Sequence, residues 1–370
     1  MTSYQLPARR TSKRALPKGT AAAVGGTVAA LAVVALVNRY LARKAERDNP
    51  PQGRFIDVDG VRLHYIDRGS GTTIVLLHGN GSMIQDFESS GVLETAARKY
   101  RVIAFDRPGF GYSTRPRGIV WTADAQAELI HRALGQMGVQ RATVLGHSWG
   151  ASVALGLAMK YPQTVVGLVL ASGYYYPSVR ADVLLLSGPA LPVLGDILSY
   201  TVSPIISRLL WPLLLRKIFG PAPVPNKFNG FPKEMAVRPS QIRASAAETA
   251  LMIPNAVSMQ RRYSSLKNPV VIIAGDQDRL VNIDQQSARL HRDMGQSKLR
   301  RVAGAGHMVH QTAPALVMAA LEESLTESGE LASEGGPHAA SPRAKGSAPP
   351  LPRHVGAEAH GRRGQLDVGT

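Results

Sequence analysis

The sequence predicts an α/β fold built on a mostly parallel, doubly wound sheet with a helical lid insertion. Short apolar, β-branched runs alternate with helical patterns over about residues 53–325, which is typical of such a sheet. The alternation stops at about residues 174–266, where leucine-rich pieces are separated by prolines. A G-x-S-x-G motif at residues 146–150 lies between an apolar run and an alanine-rich helical pattern. This context is typical of a sharp strand-to-helix turn that exposes a serine.

The composition excludes several classes of protein and site. The chain has 370 residues, 44% of them hydrophobic, which is enough for one large domain with a buried core and appendages. It contains no cysteine, so disulfides, thiolate catalysis and cysteine metal sites are excluded. The formal net charge is +17, and beyond residues 1–50 the basic excess is dispersed. A dispersed excess with few aromatics does not indicate nucleic-acid binding and favours an anionic membrane surface.

The amino-terminal residues predict a membrane anchor. Residues 1–20 are polar and basic, and residues 21–37 form an uncharged, apolar stretch at the short end of a membrane span. A cleaved secretory signal is the alternative, but the stretch is longer than a usual signal core and no clear cleavage site follows it. Slightly more basic residues precede the stretch than follow it. The positive-inside rule therefore favours a folded domain outside the cytoplasm, and a cleaved chain would be secreted or periplasmic.

The domain of residues 53–325 is expected to begin with a hairpin around Asp59-Gly60, because apolar and polar residues alternate on both sides of this pair. Buried strands and helices follow, one helix beginning with Thr122 as its N-cap. The expected strands cover residues 73–77, 101–105, 142–145, 165–171, 269–274 and 299–302, and the last helix covers 314–325. Residues 326–370 have the composition of a disordered tail.

Residues 174–266 fall between two strands at the carboxyl edge of the sheet, so we expect them to form a lid over Ser148. Prolines divide this lid into helical pieces that are expected to be too broken to cross a bilayer. Its apolar, basic composition suits a membrane interface or an apolar substrate. The alternative is that its leucines only pack the lid against the core.

Three residues that follow strands at this edge form a candidate catalytic set. A serine hydroxyl is a poor nucleophile at neutral pH, so Ser148 needs a base, and His307 lies on a glycine-rich loop that can reach it. A carboxylate must hold the imidazole in one tautomer, and Asp278 is preferred over Asp276 for this role. His310 is a weaker rival to His307 and is otherwise expected to be a solvent-exposed residue at a helix start.

Two loops complete the candidate site. The backbone N–H groups of Asn80, after the strand at 73–77, and of Trp149, at a helix start, are expected to hold a developing oxyanion. Asp106 is a less favoured catalytic acid, since it and Arg107 are expected to fix their loop by hydrogen bonds. The remaining histidines show no metal-ligand spacing, so neither a metal nor a cofactor is expected.

These features closely resemble the α/β-hydrolase superfamily over about residues 53–325. The matching segments are the initial hairpin, His78-Gly79-Asn80-Gly81, Asp106 to Gly111, the Ser148 turn, Gly275-x-x-Asp278 and Gly306-His307. The resemblance implies that Ser148, Asp278 and His307 are nucleophile, acid and base, in the family's chain order. The tryptophan that follows the nucleophile position, Trp149, resembles the epoxide-hydrolase and haloalkane-dehalogenase branch of the superfamily, which uses an aspartate nucleophile. A serine in that position argues against epoxide and halide chemistry.

We therefore expect a membrane-anchored serine hydrolase that cleaves a carboxylic ester with a sizeable apolar part. Ser148 would attack the carbonyl, His307 would relay the proton and Asp278 would orient the imidazole. Hydrolytic carbon–carbon cleavage, with Arg180 or Arg243 binding a carboxylate, and cofactor-free perhydrolysis are enzymatic alternatives. A catalytically silent binding protein is the non-enzymatic one. The expected partners are an apolar ester and a membrane, contacted by the amino-terminal segment and the lid, with no nucleic acid.

Overall fold

The central feature of the computed structural model, which describes residues 18–178, 183 and 186–330, is one eight-stranded sheet. Its strands are β1 (Arg54–Val58), β2 (Val61–Arg68), β3 (Thr73–Leu77), β4 (Arg101–Phe105), β5 (Ala142–His147), β6 (Val165–Ala171), β7 (Val270–Gly275) and β8 (Ser297–Val302). Their spatial order is β1-β2-β4-β3-β5-β6-β7-β8. Strands β1 and β2 pair antiparallel, as do β2 and β4, and the remaining neighbours are parallel. The predicted α/β class is confirmed.

Helices flank the sheet and fill the insertion between β6 and β7. They are α1 (Lys18–Asp48), α2 (Gln85–Ser90), α3 (Val92–Ala97), α4 (Ala123–Gln136), α5 (Trp149–Lys160), α6 (Leu194–Tyr200), α7 (Val202–Phe219), α8 (Lys233–Ala236), α9 (Pro239–Met259), α10 (Ser287–Asp293), α11 (Val309–Thr312) and α12 (Pro314–Glu327). The basic segment up to residue 17, Arg180 and the tail from residue 331 lie outside the described residues.

The predicted hairpin and N-cap are both present. Asp59 and Gly60 have positive φ angles of 50° and 77°, as a two-residue turn that matches the twist of its strands requires. Thr122 has extended backbone, and its side-chain oxygen accepts a hydrogen bond from the Ala125 N–H at 3.1 Å. The hairpin turn and the start of α4 therefore lie at the residues that the sequence predicts.

Two apolar cores cover the two faces of the sheet. Successive residues of β3 alternate between them: Val75 packs with α4 and α5, and Leu76 packs with α3 and α12. All five β3 side chains are buried, which explains why this strand is a continuous apolar run without an alternating pattern. The carboxyl ends of the parallel strands then meet at one edge, beneath the insertion.

The insertion departs from the sequence expectation in one helix. The prolines were expected to break it into short pieces, but α7 runs for 18 residues with Pro212 inside it. Pro204 lies in the first turn, where the missing N–H needs no helical partner. Helices α6 and α7 meet at a bend of 55°, and together they are long and apolar enough to form a broken span or a re-entrant pair. The expected break within α7 is therefore absent, and the two helices reach the length and hydropathy of a span only when they are taken together. That the lid does not cross a bilayer stays a prediction.

Helix α1 contains the predicted apolar stretch and is, among the described residues, the one single helix long and apolar enough to cross a membrane. Its carboxyl-terminal half docks on the insertion. Asn38 is buried and its Nδ2 donates to the carbonyl oxygens of Tyr200 and Thr201, at 3.0 and 2.8 Å. Asn38 Oδ1 accepts from Arg208 Nη1 at 3.0 Å. The helix is therefore joined to the lid as well as to the chain that follows it.

Replacing Asn38 with alanine removes these three hydrogen bonds from a buried site. A buried polar group left unpaired costs about 1–3 kcal/mol. We expect Asn38→Ala to lower the unfolding free energy of the detergent-solubilised protein by about that amount, seen as a lower melting temperature. Thr27→Ala is the matched control, since the exposed Thr27 hydroxyl bonds Ala23 within its own helix. Equal melting temperatures for the two variants would show that Asn38 does not fasten α1.

Candidate active site

Ser148 lies in a strained turn between β5 and α5. Its φ and ψ angles are 53° and −117°, in a region that residues with side chains rarely adopt. Two glycines make the turn possible. A Cβ on Gly146 would lie 2.3 Å from Gly150 O, and a Cβ on Gly150 would lie 2.1 Å from Leu77 O. Any side chain at either position would force β3, β5 and α5 apart, so the motif glycines are a steric requirement.

His307 and Asp278 form a hydrogen-bonded pair at the same edge. His307 Nδ1 lies 2.7 Å from Asp278 Oδ2, and both side chains are almost completely buried. Asp278 Oδ1 accepts the backbone N–H groups of Leu280 and Val281 at 2.8 and 2.9 Å, which fixes the carboxylate. Asp276 is exposed and accepts the Gly304 N–H instead. The geometry therefore pairs the histidine with Asp278 and not with Asp276.

The loops that carry Ser148 and His307 are in contact through His147. The His147 ring lies 5.0 Å from the His307 ring, and its Nε2 lies 3.2 Å from His307 O. The His307 N–H donates to Ile218 O at 2.9 Å, in the last turn of α7. The position of the candidate base is therefore fixed by the serine turn on one side and by the insertion on the other.

The loop after β3 lies directly against the serine turn. A Cβ on Gly79 would be 3.1 Å from Ser148 Cβ, so a glycine is needed there for the loop to approach. Asn80 Nδ2 donates to Ser245 O and Thr249 Oγ1 on α9. These bonds hold its side chain toward the insertion, and Trp149 begins α5. Asn80 and Trp149 therefore lie on the two segments that meet at Ser148.

A buried arginine supports the Gly79 loop from behind. Arg107 Nε and Nη2 donate to the carbonyl oxygens of His78 and Gly79, at 2.7 and 2.9 Å. Its charge is paired with Glu248 of α9, with 3.1 Å between Nη2 and Oε2, and both side chains are fully buried. This ion pair links the loop to the insertion, and a buried charge without its partner would be strongly destabilising.

Asp106 takes the loop-fixing role predicted for it. Its Oδ2 accepts from His64 Nδ1 at 2.7 Å and from the Tyr112 N–H, and its Oδ1 accepts the Ile84 N–H at 2.9 Å. The carboxylate is fully buried. With both oxygens engaged on three segments, Asp106 is not placed to serve His307.

A second polar cluster, Asp86, His147 and His310, lies buried behind the serine turn. His310 Nε2 lies 3.0 Å from Asp86 Oδ1 without hydrogen-bond alignment, and the His147 and His310 rings are 4.2 Å apart. The expectation that His310 is exposed is wrong, because α11 turns its first residues inward against Phe87. The three segments are far apart in sequence, so spacing gave no sign of the cluster.

Burial and nearby charges shift the pKa values of two members of this cluster. Burial alone would raise the pKa of Asp86, but electrostatic attraction to His310 and His147 and the hydrogen bond from Gln311 hold that pKa well below its usual range. Burial lowers the pKa of His147, and His310 and His307 lower it further. Asp86, His147 and His310 offer three donor atoms within 4.8 Å of one another. Asp86 already accepts from Ser82 and Gln311, and three donors are one short of a closed structural zinc site.

His78 gives the loop a pH-dependent element. The Arg107 backbone N–H donates to His78 Nε2 at 3.0 Å, so this nitrogen must carry a lone pair. Burial and the Arg107 charge lower the pKa of His78 to about 3. Protonation would set a second N–H against the Arg107 donor and would therefore disrupt the loop beside Ser148.

The lowered pKa of His78 predicts a loss of stability in acid. In the unfolded chain this imidazole binds a proton below its ordinary pKa of 6.5, and in the folded protein only near pH 3. Its contribution is present above pH 6.5 and is lost as the pH falls toward 3. We expect wild-type unfolding free energy to fall by up to about 1.4 kcal/mol per pH unit more steeply than that of His78→Gln. Denaturant titrations between neutral pH and the onset of acid unfolding measure this difference, and parallel profiles would contradict it.

Comparison with known proteins identifies the family. The model for the alpha/beta hydrolase fold matches residues 72–314. Haloalkane dehalogenase 2 of Mycobacterium tuberculosis is 30% identical over 129 residues, 35% of this chain and 44% of the relative. The 2-hydroxymuconate semialdehyde hydrolase of a Pseudomonas species is 32% identical over 136 residues, 36% of this chain and 48% of the relative. The chain thus spans less than half the length of these two relatives.

A solved structure, a bacterial membrane phospholipase A, has the same fold. Its TM-score is 0.58 at 21% identity, with 84% of this chain and 95% of that chain covered. The family match spans well over half of the sequence and contains β3 to β8, the strained serine turn and the His307–Asp278 pair. The chain belongs to the α/β-hydrolase family.

Proposed function

We propose that the protein is a serine hydrolase that cleaves a carboxylic ester with a sizeable apolar part. The observation that carries this proposal is the 2.7 Å hydrogen bond between His307 Nδ1 and Asp278 Oδ2, on a loop that contacts His147, the residue before the strained Ser148. A merely structural turn needs neither a strained serine nor an oriented imidazole on the loop that contacts it. Strain of this kind persists where the surrounding structure imposes it, and it clusters at active sites.

In the proposed reaction Ser148 Oγ attacks the ester carbonyl while His307 Nε2 takes its proton. Asp278 accepts a hydrogen bond from the Nδ1–H of His307, which leaves the lone pair on Nε2, and the carboxylate stabilises the imidazolium. The tetrahedral oxyanion is held by the N–H groups of Asn80 and Trp149. His307 then protonates the departing alcohol to leave an acyl-serine. A water molecule, deprotonated by His307, attacks this acyl-serine, and the carboxylic acid leaves as the serine is restored.

The identity of the nucleophile separates this protein from its dehalogenase relatives. Ser148 Oγ cannot act as the aspartate carboxylate that the resemblance assigns to that branch, so ester chemistry is favoured over halide chemistry. Carbon–carbon hydrolysis is the second candidate, because one relative is a semialdehyde hydrolase. Such a substrate needs a cation for its carboxylate, and Arg243 is already paired with Asp196 at 3.2 Å. Perhydrolysis would use the same three residues.

We also propose that α1 remains attached as a membrane anchor. Removing it would take away the Asn38 partner of the Tyr200 and Thr201 carbonyl oxygens and of the Arg208 guanidinium. It would also separate Glu46 from Arg238, which are 2.7 Å apart. A helix with these partners is part of the fold, unlike a signal segment that is discarded. The positive-inside expectation then places the catalytic domain outside the cytoplasm.

The two aspartates of the Gly275 loop provide a matched test of the triad. Asp278→Asn keeps the shape but gives the imidazole the wrong tautomer, so we expect kcat on a soluble ester to fall by about 10⁴-fold. Asp276→Asn changes the same charge on the same loop and should leave kcat within about threefold, since surface changes are usually small. The measurement is steady-state hydrolysis of p-nitrophenyl esters of increasing acyl length. Equal activity of both variants, or faster turnover of a vinylogous ketone than of any ester, would contradict the proposal.

A further inference from the structure

The lid of the proposed site carries a large apolar surface that faces away from the core. On α7, Ile205, Leu209 and Leu213 are 43%, 73% and 58% exposed. On α6, Leu194 and Ile197 are about half exposed. Soluble monomers rarely expose a contiguous apolar surface of this kind, and such a surface usually marks an interaction site. Its position on a lid means that whatever covers it also lies next to the entrance of the site.

Helix α1 lies beside this surface and shares a groove with it. Val33, Val34 and Val37 of α1 line a shallow apolar groove together with Ile205 and Leu209 of α7. Asn38, which donates hydrogen bonds to the α6–α7 corner, lines the same groove. The last turns of the apolar stretch therefore run alongside α7, and the exposed side chains of both helices form one continuous surface.

This contact sets a common depth for the two helices. A helix rises about 1.5 Å per residue, so Val33 and Val37 lie within about two turns of Asn38, at the level of Leu209. Leu36 and Val37 are themselves at least half exposed. Any bilayer that accommodates α1 as far as Val37 must therefore also meet the apolar face of α7.

The rim of the surface has the chemistry of a membrane interface. Arg39 and Arg43 follow the apolar stretch and are exposed, and Arg216 is exposed near the end of α7. Tyr40 and Tyr200 are 60% and 41% exposed on the two sides of the joint. Arginines and tyrosines at the end of an apolar surface suit the headgroup region of an anionic leaflet.

We propose that α6 and α7 insert beside the last apolar turns of α1 into one leaflet of an anionic bilayer, and that the substrate is an ester lipid drawn from that leaflet. The substrate part rests on the proposed function, whereas the insertion rests on the surface alone. The last turn of α7 contains Ile218, whose carbonyl oxygen accepts the His307 N–H. The embedded helix thus leads directly from the lipid phase to the catalytic loop.

The absence of cysteine allows a single-site test in the full chain. Leu209→Cys, Leu36→Cys and Thr326→Cys are labelled with an environment-sensitive NBD dye and reconstituted in phosphatidylcholine–phosphatidylglycerol vesicles. Leu36 reports α1, and Thr326 is exposed at the far end of α12, where neighbouring Glu330 bonds Arg141 before β5. That position lies at the sheet edge opposite the lid. Brominated phospholipids then quench dyes that contact acyl chains.

We expect the Leu209 and Leu36 dyes to be quenched to a similar extent and the Thr326 dye to be unaffected. Quenching at Leu36 without quenching at Leu209 would overturn insertion of the lid. The Leu209 dye could also escape quenching because the protein is a dimer, which the oligomeric mass in detergent would show. That result would overturn insertion of the lid in favour of a second copy of the chain on this surface. Ser148-dependent hydrolysis of a soluble ester by the same samples reports the proposed function separately.

A paired activity measurement tests the substrate class. We expect Leu209→Glu to keep its turnover of p-nitrophenyl acetate while losing about tenfold or more on an ester lipid embedded in vesicles, because a charge at this depth opposes insertion. Leu316→Glu is the control, since Leu316 is similarly exposed on α12. Equal losses on both substrates, or no selective loss, would contradict a membrane-resident substrate.

Discussion

The close approach of β3, β5 and α5 at Ser148 is the constraint on which the site depends. Gly146 and Gly150 leave no room for a side chain, since a Cβ would lie 2.3 and 2.1 Å from backbone oxygens. The chain must turn within one residue, and Ser148 takes the strained conformation that results. The Ser148 N–H bonds Ala171 O at 2.9 Å, so β6 holds the turn in place. The strain is thus imposed by the packed sheet and is located at Ser148, the proposed nucleophile.

Buried charges extend this rigidity to the loops around the serine. Arg107 holds the carbonyl groups of His78 and Gly79, and Glu248 neutralises it from the insertion. Asp106 joins three further segments through its two oxygens. Because an unpaired buried charge is costly, these networks allow few alternative arrangements of the loop. The backbone of the loop that carries Asn80, one of the two proposed oxyanion donors, is therefore held in place by buried charges.

The insertion is part of the site and not only its cover. Ile218 O accepts the His307 N–H, and Ser245 and Thr249 hold the Asn80 side chain. Asn38 of α1 joins the same insertion from the other side. A displacement of the insertion would therefore shift both the loop that carries His307 and the loop that carries Asn80. This coupling gives a physical route by which contact with a membrane can influence catalysis.

The sequence predicted what depends on local chemistry. The hairpin at Asp59-Gly60, the Thr122 cap and the buried strands follow from side-chain type and spacing, and the glycine loops follow from sterics. The sequence already favoured Asp278 over Asp276, and the fold adds the contact itself, the hydrogen bond between Asp278 and His307. Likewise, α7 continues through Pro212, and His310 is buried because α11 turns inward. Contacts between segments far apart in the chain decide these cases, and periodicity carries no information about them.

The central claim is that Ser148 is an activated nucleophile, and covalent labelling tests it most directly. The full chain is treated with a fluorophosphonate, digested, and the modified residue is located by mass spectrometry. We expect one adduct, on Ser148, that does not form in Ser148→Ala and forms much more slowly in Asp278→Asn. A folded wild-type protein that takes no label, or takes it on another residue, would contradict the account and favour a binding protein on the same fold.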